Sequence, residues 1–284
     1  MFKEYPQYQK NPLFLAGESY AGTTLPLLAA KILNGNHTAN IKIRLSGLIL
    51  ISPWADPVHQ VTMDTQFAFS HGIINAAQTK QMDQLVKQYV TFIQQKKYLP
   101  ANDTCNHIDN SIIQYSGLWL ANIDHSANDD TTLLEQYLNN SKVLKAIHAT
   151  KIGSYHVWSD QANKSYLPYI QLSMRKLYNQ LLSKHIPLLI LSGLSDAKDT
   201  NFLGVNNFIQ HLSWPNKSAY LFASTHIINI NKNVLGYEKS GGYLTRATIL
   251  HAGHMIPQDQ PNIDQVVKAF VSSPPKHHNA RHAG

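Results

Sequence analysis

Gly17-Glu18-Ser19-Tyr20-Ala21-Gly22 stands between an apolar run, Leu13-Phe14-Leu15-Ala16, and a segment with helical apolar periodicity over residues 24–33. Apolar run, small-residue turn, periodic segment: this order predicts a strand, a tight turn and a helix, with a serine at the tip of the turn. A serine held there has its hydroxyl exposed above a sheet, at the N-terminus of a helix. That is the geometry of a nucleophile elbow. The simple G-x-S-x-G pattern is not met, because Ala21 stands where the second Gly would be.

Working outward, three further short apolar runs read as strands: Leu45–Ile51, 188–191 and 247–250. Continuous apolar runs of this length suit a sheet covered on both faces. Helical segments follow at 206–212 and 263–270, so strands and helices alternate, which predicts a parallel α/β sheet. Between the second and third strands the character changes. Residues 78–95, 133–138, 143–148 (capped by Ser141) and 173–182 carry helical periodicity, so 57–185 reads as a mainly helical insertion whose last helix returns to the sheet. The domain then runs over 1–271, and the Pro-, His- and small-residue-rich tail 272–284 reads as disordered.

Composition excludes several classes. A hydrophobic fraction of 43% is ordinary for a packed domain. Lys+Arg 24 against Asp+Glu 17 gives a net charge of +7, yet no basic run exceeds Lys96-Lys97. A nucleic-acid footprint would cluster charge on one element, so no nucleic-acid partner is expected. No apolar run approaches the ~18 residues of a membrane span, so no membrane partner is expected, and no signal-peptide core opens the chain. Cys105, the single cysteine, reads as part of a polar loop and excludes both an internal disulfide and a zinc-cysteine cluster. No carboxylate accompanies His251 and His254 in zincin spacing, so no metal and no cofactor are expected. Sequons at Asn36, Asn102, Asn139, Asn163 and Asn216 are a weak sign of a secreted glycoprotein in so Asn-rich a chain.

A serine nucleophile needs a base to take its proton, and the base needs a carboxylate to hold its tautomer. In α/β-hydrolases these come in the chain order Ser, Asp/Glu, His, each just past the C-terminal end of a strand. Ser19 follows the first strand, Asp196 the third and His254 the fourth. A lone loop Asp is usually a turn former and a lone His usually structural. The ordered set after the right strands is much harder to dismiss.

The string Gly17–Gly22, with Asn11-Pro12 before its strand, resembles the active-site motif of the serine carboxypeptidases. Gly253-His254-Met255-Ile256-Pro257, with Asp259-Gln260-Pro261, is similar to that family's histidine motif. Ser192-Gly193-Leu194-Ser195-Asp196 is similar to its aspartate motif, with Gly204–Phe208 and Trp214 like the helix after it. Gly47 through Asp56-Pro57 and Val143–His148 also match, and the pattern is closest to the vitellogenic-like branch.

The resemblance implies the C-terminal portion of an α/β-hydrolase fold acting as a serine-type carboxypeptidase on peptide or protein C-termini. Ser19 would be the nucleophile, His254 the general base and then acid, and Asp196 its orienting carboxylate. The Tyr20 N–H would donate to the oxyanion. Glu18 would hydrogen-bond the substrate's C-terminal carboxylate through a shared proton, and Met255 would line the leaving-group side. A secreted, lysosomal or vacuolar setting is implied too. An acyltransferase or esterase on the same scaffold, or a degenerate binding protein, are the alternatives.

Some features depart from the family pattern. Its Gly-rich loop, which supplies a second oxyanion donor and an Asn for the substrate carboxylate, lies upstream of the serine motif there and has no counterpart here. Ser52-Pro53-Trp54 stands where a Gly-Asn-Gly type turn is usual. The loop from Asp196 to Gly204 is one residue longer than in the family pattern, which leaves Asp199 as an alternative third triad member. The strand at 13–16 is expected to have one side open, to be covered by a missing N-terminal segment or another chain.

Overall fold

The computed structural model describes residues 2–125, 130–151 and 153–274. The tail expected to be disordered lies mostly outside the described residues. Only its first residues are described, and Ser272 closes the last helix.

The chain opens with β1 (Leu13–Glu18), α1 (Ala21–Gly35) and β2 (Leu45–Ile51). The helices α2 (Pro57–Val61), α3 (Asp64–Ser70), α4 (Ala76–Gln94) and α5 (Tyr98–Ser116) follow. Next come α6 (Thr132–Leu138), α7 (Ser141–Ala146), α8 (Asp160–Ile170) and α9 (Arg175–Ser183). The chain then returns to the sheet as β3 (Leu188–Gly193), and α10 (Phe202–Gln210) and α11 (Lys217–Leu221) lead to the remaining strands. These are β4 (Thr225–Ile230), β5 (Asn233–Gly241) and β6 (Leu244–Ile249), before α12 (Ile256–Asp259) and α13 (Ile263–Ser272).

The six strands form one sheet in the order β1-β2-β3-β6-β5-β4. β1, β2, β3 and β6 run parallel, with Leu48 opposite Leu188 and Leu188 opposite Leu244. Every residue of β3 is buried, as a continuous Leu/Ile run covered on both faces should be. One face packs on Tyr178, Leu181 and Leu182 of α9 and Phe208 of α10. The other packs on Ile263, Val266 and Phe270 of α13. A third core joins Trp54 to Phe67, Met82, Tyr89, Ile108 and Ile112 of α3, α4 and α5.

The α/β class holds, but the sheet is mixed rather than purely parallel. The antiparallel hairpin β4–β5 went unread because its apolar residues come as the short pairs Ile227-Ile228 and Val234-Leu235 among polar ones, not as a run. Its turn is Asn231-Lys232, both at positive φ, the backbone a two-residue hairpin loop requires. Among the described residues β1 pairs only with β2, and its side chains are half-buried where those of β3 are fully buried.

Two local readings are corrected. Cys105 is not in a polar loop: it is buried in α5. Ala101, Cys105, Ile108 and Ile112 share one helical face that α5 turns inward, so packing overrides the poor helix propensity of its Asn, Asp and Thr residues. The cap of α7 is Asn140, whose side chain accepts from the Lys142 N–H, and not Ser141, which is the first helical residue.

Candidate active site

Only Ser19 and Tyr20 separate β1 from α1, so the chain must reverse sharply there. Ser19 takes φ = 58°, in the left-handed region that costs a non-glycine residue about 1 kcal/mol or more. Three backbone hydrogen bonds hold it. Its N–H donates to Ile51 O at 2.9 Å, and its carbonyl accepts from Gly22 N and Trp54 N, each at 2.9 Å. The glycines of the motif follow from the same crowding. A Cβ at Gly17 would lie 2.5 Å from the Ala21 Cβ, and one at Gly22 would lie 2.7 Å from both Pro53 Cβ and Trp54 O. Tyr20 is the N-cap of α1, where N–H groups have no intrahelical acceptor.

Asp196 and His254 lie beyond the C-terminal ends of β3 and β6, at the same edge of the sheet. Asp196 is fully buried. Its Oδ2 lies 3.0 Å from His254 Nδ1 and also accepts the Thr200 hydroxyl at 2.9 Å. Its Oδ1 accepts the Lys198 N–H at 3.0 Å. The carboxylate hydrogen-bonded to His254 is therefore Asp196; Asp199 is buried within electrostatic reach of Lys198, His254 and Asp196. Burial pulls the His254 imidazole down, but the charge and hydrogen bond of Asp196 outweigh it and leave the group above its ordinary value.

The histidine loop is fixed by contacts from three directions. His254 N donates to Ala121 O at 2.6 Å, and the Ser52 hydroxyl donates to His254 O at 3.0 Å. Asp259 Oδ2 accepts from Gly253 N at 2.8 Å and from Asn122 Nδ2 at 3.0 Å. Ser195 N donates to Ala252 O, and Ala197 N to Leu120 O. Glycine is required where these segments cross. A Cβ at Gly193 would lie 2.1 Å from Gly253 O, and one at Gly253 would lie 2.2 Å from Ala121 O.

Glu18, the last residue of β1, is half-buried. Burial pushes its carboxyl above the ordinary range, His254 opposes this, and Asp196 and Asp259 add to it. Those couplings place Glu18 within electrostatic reach of the histidine loop. Met255 is half-buried at the start of α12. The Tyr20 ring meets Tyr166 of α8 edge-on at 5.2 Å, and Trp54 Nε1 donates to Ile170 O at 2.5 Å, so the helical insertion reaches the elbow.

Sequence reasoning missed Thr200, Ser52, Asn122 and the Ser195–Asp124 hydrogen bond of 2.6 Å. Ser195 and Ser52 stand within quoted stretches but without a role there, and the hydrogen bonds of all of them depend on how separate loops meet in the fold.

The model of the serine carboxypeptidase family matches residues 1–273. The chain belongs to the serine carboxypeptidase family. Among its relatives, the venom serine carboxypeptidase of Apis mellifera is 28% identical over 271 residues, which is 92% of this chain and 57% of that protein. Carboxypeptidase Y homolog A of Sclerotinia sclerotiorum is 28% identical over 279 residues, 92% of this chain and 50% of that one. This serine carboxypeptidase chain thus spans about half the length of the curated relatives it matches. Its fold is that of Kex1(Δ)p, a prohormone-processing carboxypeptidase from Saccharomyces cerevisiae. The TM-score is 0.82 at 20% identity, over 95% of this chain and 64% of the other. Among the described residues no helix is long and apolar enough to cross a membrane.

Proposed function

We propose that the protein removes C-terminal residues from peptides through an acyl-enzyme on Ser19. The observation that carries this reading is the buried Asp196–His254 hydrogen bond, at the sheet edge where the strained elbow presents Ser19. Asp196 accepts the Nδ1–H of His254, which leaves the Nε2 lone pair as the base. Nε2 takes the Ser19 hydroxyl proton as Oγ attacks the scissile carbonyl carbon. The Tyr20 N–H donates to the oxyanion that forms. The imidazolium then protonates the leaving amine, the C–N bond breaks and an acyl-serine remains. Water, deprotonated by the same Nε2, releases the shortened peptide.

Glu18 supplies the exopeptidase specificity. A carboxyl beside a substrate carboxylate is attractive only if one proton is shared, and a carboxyl raised by burial keeps that proton longer. Met255, next to the base, lines the leaving-group side.

The partner of the open side of β1 is a further segment or chain that adds a strand there. Its support is the half-buried, one-sided pairing of β1 and the greater length of the relatives. The setting is secreted, or else lysosomal or vacuolar. The sequons and the relative named for venom support this.

The test is hydrolysis of an N-blocked dipeptide. Release of the free C-terminal amino acid is expected, with the C-terminally amidated dipeptide left intact and Ser19→Ala inactive. Cleavage of esters alone, or acyl transfer to alcohols, points instead to an esterase or acyltransferase on this scaffold. Absence of any Ser19-dependent turnover points to a binding protein.

A further inference from the structure

The geometry points to Thr200 as a positioning residue that fixes the tautomer of His254. This inference rests on the catalytic reading of His254 given above. Thr200 is 1% exposed, in the loop between β3 and α10. Its Oγ1 lies 2.9 Å from Asp196 Oδ2 and 2.9 Å from His254 Nδ1, while those two atoms are 3.0 Å apart. The three atoms form a nearly equilateral triangle.

Hydrogen counting within that triangle leaves one good solution. A carboxylate oxygen only accepts, so the single Thr200 hydroxyl hydrogen is directed to Asp196 Oδ2. Toward the imidazole Oγ1 then offers a lone pair. Nδ1 must therefore carry a hydrogen, shared between Asp196 Oδ2 and Thr200 Oγ1. The other tautomer would point the Nδ1 lone pair at the Asp196 carboxylate, an unfavourable arrangement in a buried site. With Nδ1 protonated, the lone pair lies on Nε2, which the base needs. When Nε2 takes the Ser19 proton, the imidazolium keeps two acceptors at Nδ1 instead of one.

The loop also immobilises Thr200. Asn201 caps α10 by accepting from Gly204 N at 2.9 Å, and its amide donates to Asp64 Oδ1 at 2.8 Å and to Lys198 O at 2.9 Å. Lys198 N occupies the other Asp196 oxygen. Both oxygens of the triad carboxylate thus take a donor from one short loop, which prevents its rotation. The hydroxyl is more than self-satisfied buried polarity, since its donor and its acceptor capacity are both spent on His254 or its partner.

The experiment compares the full chain with Thr200→Val, which keeps the shape and removes the hydroxyl, and Thr200→Ser, which keeps the hydroxyl. If the valine variant does not fold, Thr200→Ala replaces it. Two readouts are taken: the rate of Ser19 modification by a fluorophosphonate, and the NMR signals of the His254 ring nitrogens and the Nδ1–H proton. Loss of one hydrogen-bonding group is expected to slow modification about tenfold in the valine variant. Its Nδ1–H signal should broaden or move upfield as the tautomers mix. The serine variant should stay within about threefold of the parent chain and keep the signal. A valine variant with parental labelling and an unchanged Nδ1–H signal overturns the inference. So does a serine variant as impaired as the valine one, because methyl packing would then be what matters. If the parent chain is not labelled at Ser19, the catalytic reading fails, while the NMR comparison still decides whether Thr200 sets the tautomer.

Discussion

Ser19, Asp196 and His254 depend on neighbours with no chemistry of their own, and Gly193 is the sharpest case. A side chain there meets Gly253 O at 2.1 Å and Ala252 O at 2.4 Å, both backbone atoms of the histidine loop. Gly193→Ala is therefore expected to lower stability by about 1–3 kcal/mol. It should also slow Ser19 modification, because the 252–254 segment must shift. Denaturant unfolding and labelling of the same sample check both effects. A second prediction concerns pH. The base role proposed for His254 requires the neutral imidazole, and its pKa is raised, so Ser19 reactivity should climb with pH through a midpoint above the ordinary histidine value. Asp196→Asn removes the charge that opposes burial, so the residual reactivity should titrate at lower pH. Glu18 works in the opposite sense. Its pKa is raised above 4.5, and peptide cleavage should fall as pH carries it through ionisation, while ester cleavage should not. Matching profiles for peptide and ester substrates remove Glu18 from specificity. The placement of Ser19, Asp196 and His254 after strand ends was legible because strand-end loops in a fixed chain order are a linear pattern. Thr200 and Asn122 were not, since their partners are set by folding alone. The sequence favoured Asp196 but left Asp199 open, because two carboxylates three residues apart in a loop give no direction to a side chain.

At the scale of elements, α5 carries a polar load that the sequence disguised. Asp109 of α5 has a buried Oδ1 without a hydrogen-bond partner, and so has Asp64 of α3 at Oδ2. Burial and the charge of Asp199 push Asp109 up to about 7, and burial pushes Asp64 well above the ordinary carboxylate range. Lys198 opposes the shift of Asp109. A carboxyl whose folded pKa exceeds its unfolded value binds its proton more tightly in the folded state. Its contribution is intact below about pH 4 and is lost as pH rises towards about 7. The melting temperature should therefore fall between about pH 4 and about pH 7, and Asp109→Asn should reduce that fall. An identical pH dependence in the variant contradicts this account of α5. The same helix shows why residues 98–116 were illegible. Its Asn, Asp and Thr content suggests loop, and only the spacing of Ala101, Cys105, Ile108 and Ile112 marks a buried face. The strands of the parallel half were legible as apolar runs. β6 was placed late because Arg246 interrupts its run, and β4–β5 was missed because an exposed sheet edge needs only short apolar pairs.

In the whole molecule the parallel half of the sheet ends on an open strand, β1, as the antiparallel half ends on β4. β1 has a strand on one side only among the described residues, and Leu27 and Leu28 of α1 are 49% and 44% exposed nearby in sequence. An unpaired parallel strand with apolar side chains favours association. The chain alone is expected to self-associate in sedimentation. When co-expressed with a segment that supplies the neighbouring strand, it should co-purify with that segment and become monodisperse. A monomeric chain that unfolds cooperatively and cleaves peptides efficiently contradicts that view of β1. The central claim, that the ends of β1, β3 and β6 assemble one nucleophilic serine, is tested most directly by fluorophosphonate labelling followed by mass mapping of the adduct. The account predicts a single adduct on Ser19, lost in Ser19→Ala and suppressed by at least about a hundredfold in His254→Ala. No adduct on Ser19, or one that forms equally well without His254, contradicts it.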